Sequence, residues 1–240
     1  MSRYLSYRDL DEIASRVFRA YKRLPEAQSA GCVLRVDPAL LLRGVLGLSI
    51  EYRRLSRTGL ILGLTSYHET GLELPDETED LFILDGKTVL IEKALLAEDK
   101  QGRRNFTIAH EGCHHVLKML FPKDYGCGLD ARRVLCLRET DGIRTREEWQ
   151  VDRLASMILM PRELVGQAMY LTGQDGRIDM LNPIWRQKEY ESFCRMCGIL
   201  GVSKQALSLR MKRLGLLGED HRRDPNRIIS IFMEEDEKDE

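Results

Sequence analysis

Hydrophobic positions recur every three or four residues near the start of the chain, which predicts an amphipathic helix over residues 7–23. A second helix is expected to begin with Asp37 as its N-cap and Pro38 as its first residue, and Gly47 would end it. From there the apolar runs become short, as is typical of strands. These runs cover residues 48–52, 59–64, 80–84 and 88–92.

Asp85-Gly86 separates the last two runs and is a strong hairpin signal. We therefore expect three or four strands that are at least partly antiparallel. Residues 121–143 contain several Gly and Pro breakers together with Cys127 and Cys136, and we interpret them as an irregular loop.

Helical spacing returns over residues 145–160, where Pro161 marks the end, and again over residues 185–199. Gly201-Val202-Ser203 introduces a further helix with Ser203 as its N-cap. Two helices joined by a short turn that contains glycine have the helix-turn-helix shape.

Composition places the chain among ordinary soluble proteins of one large domain, or of one domain with a small appendage. No apolar run approaches the roughly 20 residues of a membrane span, and no signal-peptide core follows Met1, so we expect a cytoplasmic protein without a membrane partner. The six cysteines are scattered, which favours reduced thiols. The acidic stretch 234–240 is typical of a disordered tail.

The sequence His110-Glu111-Gly112-Cys113-His114 has the spacing of a zinc-protease motif. Residues four apart on a helix lie one turn apart, so both imidazoles can bind one metal ion while Glu111 reaches a water molecule on that ion. A pattern with three fixed positions also arises by chance, and the motif alone does not decide between the two explanations.

A helical wheel of this segment separates its neighbouring residues. One face carries only apolar residues, namely Phe106, Ala109, Cys113, Val116, Leu117 and Leu120. His110 and His114 lie on the flank of that face, whereas His115 falls opposite it and is predicted to face solvent. Cys113 fits a small core residue, although a thiol beside the motif could also respond to oxidation or bind the metal.

Glu148 is the candidate third ligand. It lies on the apolar stripe of the helix predicted over residues 145–160, and a carboxylate there is costly unless it is paired or bound to a metal. Two histidines and one glutamate with an open fourth position form a recognised catalytic zinc set. Asp152, one turn later, can accept the second N–H of a ligand histidine. The alternative is an exposed face in which these carboxylates pair with Arg146 or Arg153.

Three segments together resemble the ImmA/IrrE family of metallo-endopeptidases: Phe-Thr-Ile-Ala-His-Glu at 106–111, Glu148-x-x-Val151-Asp152-x-Leu154-Ala155, and Leu-Met-Pro at 159–161. The resemblance extends from about residue 35 to residue 218. Val151, Asp152 and Leu154 stand where the family usually has Ala, Asn and Phe, and Gly112-Cys113 replaces a more common bulky residue followed by Gly. None of these departures removes a ligand or the base.

The resemblance implies a narrow protein substrate, typically a partner transcriptional repressor that is cut once to induce its genes. The helix that Ser203 would cap places Lys204, Gln205 and Arg210 on a predicted outer face, where they could contact DNA. We favour the alternative of a structural or substrate-docking subdomain, because similar proteases commonly end in a comparable segment. Tyr67 and His68 are candidates for stabilising the transition state, although His68 also fits a turn.

These observations predict an α+β protein in which a small mixed or antiparallel sheet packs with the motif helix and with the helix of Glu148, in a minimal zincin-like arrangement. The expected domains are a metallopeptidase domain at 1–180, a helix-turn-helix-like subdomain at 181–220 and a tail at 221–240. The expected activity is that of a zinc endopeptidase with one Zn²⁺ held by His110, His114 and Glu148. The rival hypothesis is a non-catalytic DNA-binding or ligand-sensing regulator that uses the same fold as a scaffold.

Overall fold

Helices and short strands both occur along the chain, which agrees with the predicted α+β class. The structure, a computed structural model, describes residues 3–29, 32–75, 81–125, 135–139 and 145–226, with the backbone alone over 135–139. Contacts between Cα atoms divide the chain into two compact units, Met1–Pro161 and Arg162–Glu240. Cys127 and the acidic stretch 234–240 lie outside the described residues.

A mixed sheet forms the centre of the first unit. Its strands are β1 (Ser49–Arg53), β2 (Ile61–Ser66), β5 (Thr88–Glu92) and β6 (Leu135–Glu139). They lie in the order β1-β5-β2-β6, with β1 parallel to β5 and with β2 antiparallel to both β5 and β6. The expectation of partly antiparallel strands is confirmed, whereas β6 falls within residues 121–143, where an irregular loop was expected.

A separate antiparallel ribbon pairs β3 (Thr70–Leu72) with β4 (Phe82–Leu84). The hairpin predicted at Asp85-Gly86 is therefore wrong in its pairing, because β4 belongs to this ribbon and β5 belongs to the main sheet. The turn itself is present. The Asp85 carboxylate accepts hydrogen bonds from the backbone N–H groups of Lys87 and Thr88, and Gly86 has a φ of 74°.

Side-chain N-caps mark the starts of two of the N-terminal helices. Helix α1 (Tyr7–Tyr21) begins with a capping box, in which the Ser6 hydroxyl accepts from the Asp9 N–H and the Asp9 carboxylate accepts from the Ser6 N–H. After α2 (Pro25–Gln28), helix α3 (Pro38–Leu41) begins at its predicted cap, Asp37. It continues as a π-helical turn, Leu42–Leu46, that ends at Gly47 with a φ of 66°.

Helix α4 (Gln101–Leu120) is the central element of the first unit. It contacts β2, β5 and the π-helical turn, and it also packs on α5 (Arg146–Leu159). Every residue from Thr107 to Leu117 is buried as a result. The predicted helix at 145–160 is confirmed as α5, with Thr145 as its N-cap. Among the helices that the structure describes, none is both long and apolar enough to cross a membrane.

The second unit contains the predicted pair of helices together with further elements. Its elements are α6 (Arg162–Leu171), β7 (Ile178–Leu181), α7 (Gln187–Leu200), α8 (Lys204–Arg213) and β8 (Leu217–Asp220). Strands β7 and β8 pair in parallel, and neither they nor α6 are predicted by the sequence pattern. Gly201, with a φ of 65°, ends α7, and the Ser203 hydroxyl caps α8 by accepting from the Ala206 N–H. Both caps agree with the sequence.

Candidate metal centre

His110 and His114 lie one turn apart on α4, as the motif requires, with their ring centroids 5.1 Å apart. Each residue is 1% exposed. A buried imidazole without a partner is costly, so the two rings need polar or ionic partners within the protein. Helix α5 supplies these partners, because it packs along α4.

Glu148 on α5 faces both histidines. Its Oε2 lies 3.1 Å from His110 Nε2, and its Oε1 lies 3.3 Å from His114 Nε2. Tetrahedral Zn²⁺ with bonds of ~2.0–2.1 Å would separate its ligand atoms by ~3.3 Å. The three residues offer ligand atoms that all lie within 4.8 Å of one another, so they form a group that could hold a metal ion.

The nitrogens that face away from Glu148 meet two further carboxylates. Asp152 Oδ1 lies 3.0 Å from His110 Nδ1, in the position expected for a residue that orients this ring. Glu147 Oε1 lies 3.5 Å from His114 Nδ1. Each histidine therefore directs one nitrogen towards Glu148 and the other towards a second carboxylate. The sequence pattern does not predict the contact of Glu147 with His114.

The electrostatics of Glu148 fit a ligand role. Burial alone would raise the pKa of this carboxyl, but hydrogen bonds and positive charge from His110 and His114 outweigh burial. The pKa of Glu148 therefore lies well below its ordinary range, and the group is a carboxylate at neutral pH. Metal binding requires this deprotonated form.

Glu111, the candidate base, is fully buried on α4 between the two histidines. Its carboxylate faces β2 at Gly63, where there is no side chain to displace it: a methyl group at Gly63 would lie 2.9 Å from Glu111 Cδ. The sequence alone gives no indication of this contact with the sheet.

The prediction that His115 faces solvent is wrong. His115 is buried and its Nε2 lies 2.7 Å from the Thr65 hydroxyl of β2, because the sheet covers the side of α4 that a helical wheel assigns to water. Burial, together with the positive charges of His114 and Lys118, lowers the pKa of His115 to about 4. The residue is thus a neutral hydrogen-bonding group at pH 7.

Tyr67 lies beside the group, whereas His68 does not. The Tyr67 hydroxyl is 3.4 Å from Glu147 Oε1 and 3.5 Å from the backbone oxygen of His114. Lys118 donates a hydrogen bond to the Tyr67 carbonyl and lies over its ring. His68 is exposed in a bend, in agreement with its interpretation as a turn residue.

Cys113 is a core residue, as its small size and position suggested. It is 2% exposed, and burial raises the pKa of its thiol well above the ordinary range. A thiol with a raised pKa is a poor nucleophile and a poor metal ligand. Within the described residues, the group of potential metal ligands consists of His110, His114 and Glu148 and does not include this cysteine.

The residues predicted to lie outward on α8 divide into two kinds. Lys204 and Gln205 are exposed, and the Lys204 ammonium donates a hydrogen bond to the Tyr190 hydroxyl. Arg210 is 2% exposed, so its assignment to an outer docking face is wrong. Arg210 lies three residues after the buried Leu207, and positions three apart share one helical stripe, which explains this result.

The geometry therefore gives a buried histidine pair, a carboxylate bridging it and a second carboxylate behind each ring. In comparisons with known proteins, neither the family models nor the curated proteins give a match to the chain. What is established for the site is thus a buried group of two histidines and one glutamate that could hold a metal ion.

Proposed function

We propose that the protein is a zinc-dependent endopeptidase with a minimal zincin-like arrangement of its sheet, α4 and α5. The observation that carries this proposal is the convergence of His110, His114 and Glu148 from two helices at spacings of 3.1 and 3.3 Å. Two imidazoles with one carboxylate are a donor set that suits Zn²⁺. The buried Glu111 between the ligand histidines adds the base that hydrolysis needs.

Differences in exposure within the group support a site that is open on one side. The side chain of Glu148 is 25% exposed, whereas those of His110 and His114 are 2% and 1% exposed. Solvent and a substrate would therefore reach the group from the side of the carboxylate. Catalytic zinc sites keep one such position open, whereas structural sites are closed by four protein ligands.

In the proposed reaction, each residue has a separate task. When bound by His110, His114 and Glu148, Zn²⁺ would supply the Lewis acidity that polarises a scissile carbonyl and acidifies a water molecule. Glu111 accepts the proton of the attacking water and passes it to the leaving nitrogen. Asp152 and Glu147 hold the rings of His110 and His114 in the orientation that directs their Nε2 atoms towards Glu148, with which they would hold the ion.

We further propose that the substrate is a partner protein, namely a helix-turn-helix transcriptional repressor that is cut once in the cytoplasm. This step rests on the resemblance of segments 106–111, 148–155 and 159–161 to the ImmA/IrrE family. The exposed residues Lys204 and Gln205 on α8 are available for docking such a partner.

The decisive experiment compares wild-type protein with Glu111→Gln, which keeps the size of the side chain but removes the base. The zinc-loaded proteins are incubated with repressors encoded by neighbouring genes and with casein. We expect site-specific cleavage of one repressor by the wild type, no cleavage of casein, and a loss of about 1,000-fold or more in the variant with zinc retained. Digestion of casein would indicate a general peptidase. Gene regulation that persists unchanged in the variant would support the non-catalytic regulator instead.

A further inference from the structure

Gly63 occupies a buried position of β2, directly opposite α4. A methyl group at this position would lie 2.8 Å from Thr107 Cγ2 and 2.9 Å from Glu111 Cδ, and still closer to Glu111 Oε1. Carbon atoms that are not bonded to each other pack at about 3.5–4.0 Å. The carboxylate of Glu111 therefore occupies space that any other residue at Gly63 would fill.

The backbone of β2 is fixed on both sides at this point. Gly63 pairs with Ile91 of β5 and with Arg138 of β6, and the register to β6 shifts between Ile61 and Gly63. Such a bulge is a device that re-aims a strand locally. Because two neighbouring strands hold Gly63, β2 is restrained from moving away from α4 to make room for a side chain.

The backbone of α4 at Glu111 is also held in place. It lies within the stretch of α4 in which every residue from Thr107 to Leu117 is buried. A methyl group at Gly63 would thus displace the end of the Glu111 side chain, which is softer than the two backbones. The φ of Gly63 is not positive, so alanine would cause no backbone strain of its own.

We propose that Gly63 is a positioning residue for the base. The absence of a side chain at Gly63 sets the place of the Glu111 carboxylate, and thereby its distance from the attacking water. This inference rests on the proposed function. It assigns a role in the reaction to a strand residue that lies outside every metal-binding motif.

The first test is Gly63→Ala, with Gly71→Ala as the matched control. Gly71 is also a strand glycine, but a methyl group there would make ordinary contacts, 3.5 Å to the nearest atom of Leu81. For Gly63→Ala we expect one zinc per chain, an unchanged KM and a kcat that falls about 100-fold, since displacement of a catalytic group by about 1 Å can have that effect. Gly71→Ala should keep the wild-type kcat. Loss of zinc in Gly63→Ala, or an unchanged kcat, would overturn the proposal.

The second test measures the contact without any turnover. Thermal unfolding is compared for wild type, Gly63→Ala, Glu111→Ala and the double variant, all with excess zinc. Because Glu111→Ala removes the displaced carboxylate and leaves only the close contact with Thr107 Cγ2, Gly63→Ala should lower Tm by several degrees in the wild-type background and by less in the Glu111→Ala background. Equal shifts in both backgrounds would show that Gly63 does not confine Glu111.

The two tests separate this inference from the proposed function. If wild-type protein binds zinc and cleaves no substrate while the unfolding shifts depend on Glu111, the proposed function fails and the contact stands. If wild-type protein cleaves its substrate while the unfolding shifts are equal, the proposed function stands and the role of Gly63 is wrong.

Discussion

Helices α4 and α8 both carry a row of polar side chains, and the two rows lie in opposite environments. On α4, four polar residues on two successive turns are buried beneath the sheet and α5, namely His110, Glu111, His114 and His115. On α8, most of the basic and polar side chains face water. Burial of polar groups is costly unless they find partners, whereas exposed cations are hydrated at little cost.

This difference in burial determines how strongly each row of polar residues indicates a function. On α4 the cost of burial demands an explanation, and the convergence of two histidines with Glu148 supplies one. On α8 no such cost arises at Lys204 or Gln205, so their presence there is compatible with docking and equally with simple solvation. The following predictions test this contrast, beginning with the largest expected effect.

Removal of a ligand from the α4 and α5 group should have the largest effect. We expect Glu148→Ala and His110→Ala to weaken zinc binding on the order of 1,000-fold, because each removes one of the three proposed ligands. Metal analysis after dialysis, together with titration of a competing chelator, measures this loss. Lys212→Ala on α8 is the control and should keep one zinc per chain. Full zinc retention in Glu148→Ala would show that another residue is the third ligand.

The buried His115 should make the metal-free protein sensitive to acid. Its folded pKa of about 4 lies below the ordinary value of 6.5, so the unfolded chain takes up a proton that the folded chain refuses. The contribution of His115 to the free energy of unfolding is therefore fully present above pH 6.5. It falls by about 3 kcal/mol as the pH drops towards 4.

Replacement of His115 by Gln, which can keep a hydrogen bond to Thr65 but does not titrate, should remove this part of the acid sensitivity. Urea unfolding of both metal-free proteins between pH 7 and pH 4 measures the difference. Parallel pH profiles for wild type and His115→Gln would contradict the assignment.

The carboxylates behind the histidines should have intermediate effects. Asp152→Ala is expected to weaken zinc binding about 10- to 100-fold, since it removes the partner of His110 Nδ1 at 3.0 Å. Asp152→Asn should have a smaller effect, because its amide oxygen still accepts a hydrogen bond. Glu147→Ala should also have a smaller effect, given its longer distance of 3.5 Å from His114 Nδ1. Chelator competition ranks the three variants, and a stronger effect at Glu147 would reverse the order of importance.

The exposed residues of α8 should have the smallest effects. Gln205→Ala and Lys212→Ala are expected to change the free energy of unfolding by no more than about 0.5 kcal/mol, since both side chains face solvent. Chemical denaturation measures this change. A filter-binding assay with duplex DNA at several salt concentrations tests the rival hypothesis, because a DNA-binding helix would lose affinity and part of its salt dependence in Lys212→Ala.

The sequence predicts a helix or strand well where that element buries a single set of apolar residues. The bounds of β5 and α5 agree with the predicted runs for this reason, and α8 begins at its predicted cap, Ser203. Pairing between strands does not follow from local pattern. Asp85-Gly86 specifies a turn, but only long-range contacts decide that β4 and β5 enter different sheets.

The candidate site shows the same division. Motif spacing identifies His110 and His114, and the cost of a carboxylate on an apolar stripe identifies Glu148. A helical wheel fails for His115 because it assumes one solvated face, whereas α4 is covered on every side. Glu147 could have been suspected from its place beside Glu148, but its contact depends on how α5 lies along α4, which no pattern within α5 contains.

The position between Glu111 and Cys113 is unconstrained in the zinc-protease motif, yet in this protein a different part of the chain limits the size of the residue there. A methyl group at Gly112 would lie 2.6 Å from Leu42 Cδ1 and 3.4 Å from Leu46 Cδ1, because the π-helical turn packs directly against the backbone of α4 there. Evolutionary change at these positions should therefore be correlated. In diverged relatives, a larger residue at position 112 ought to accompany a smaller one at position 42, and this covariation would help to recognise them where the motif alone is too short.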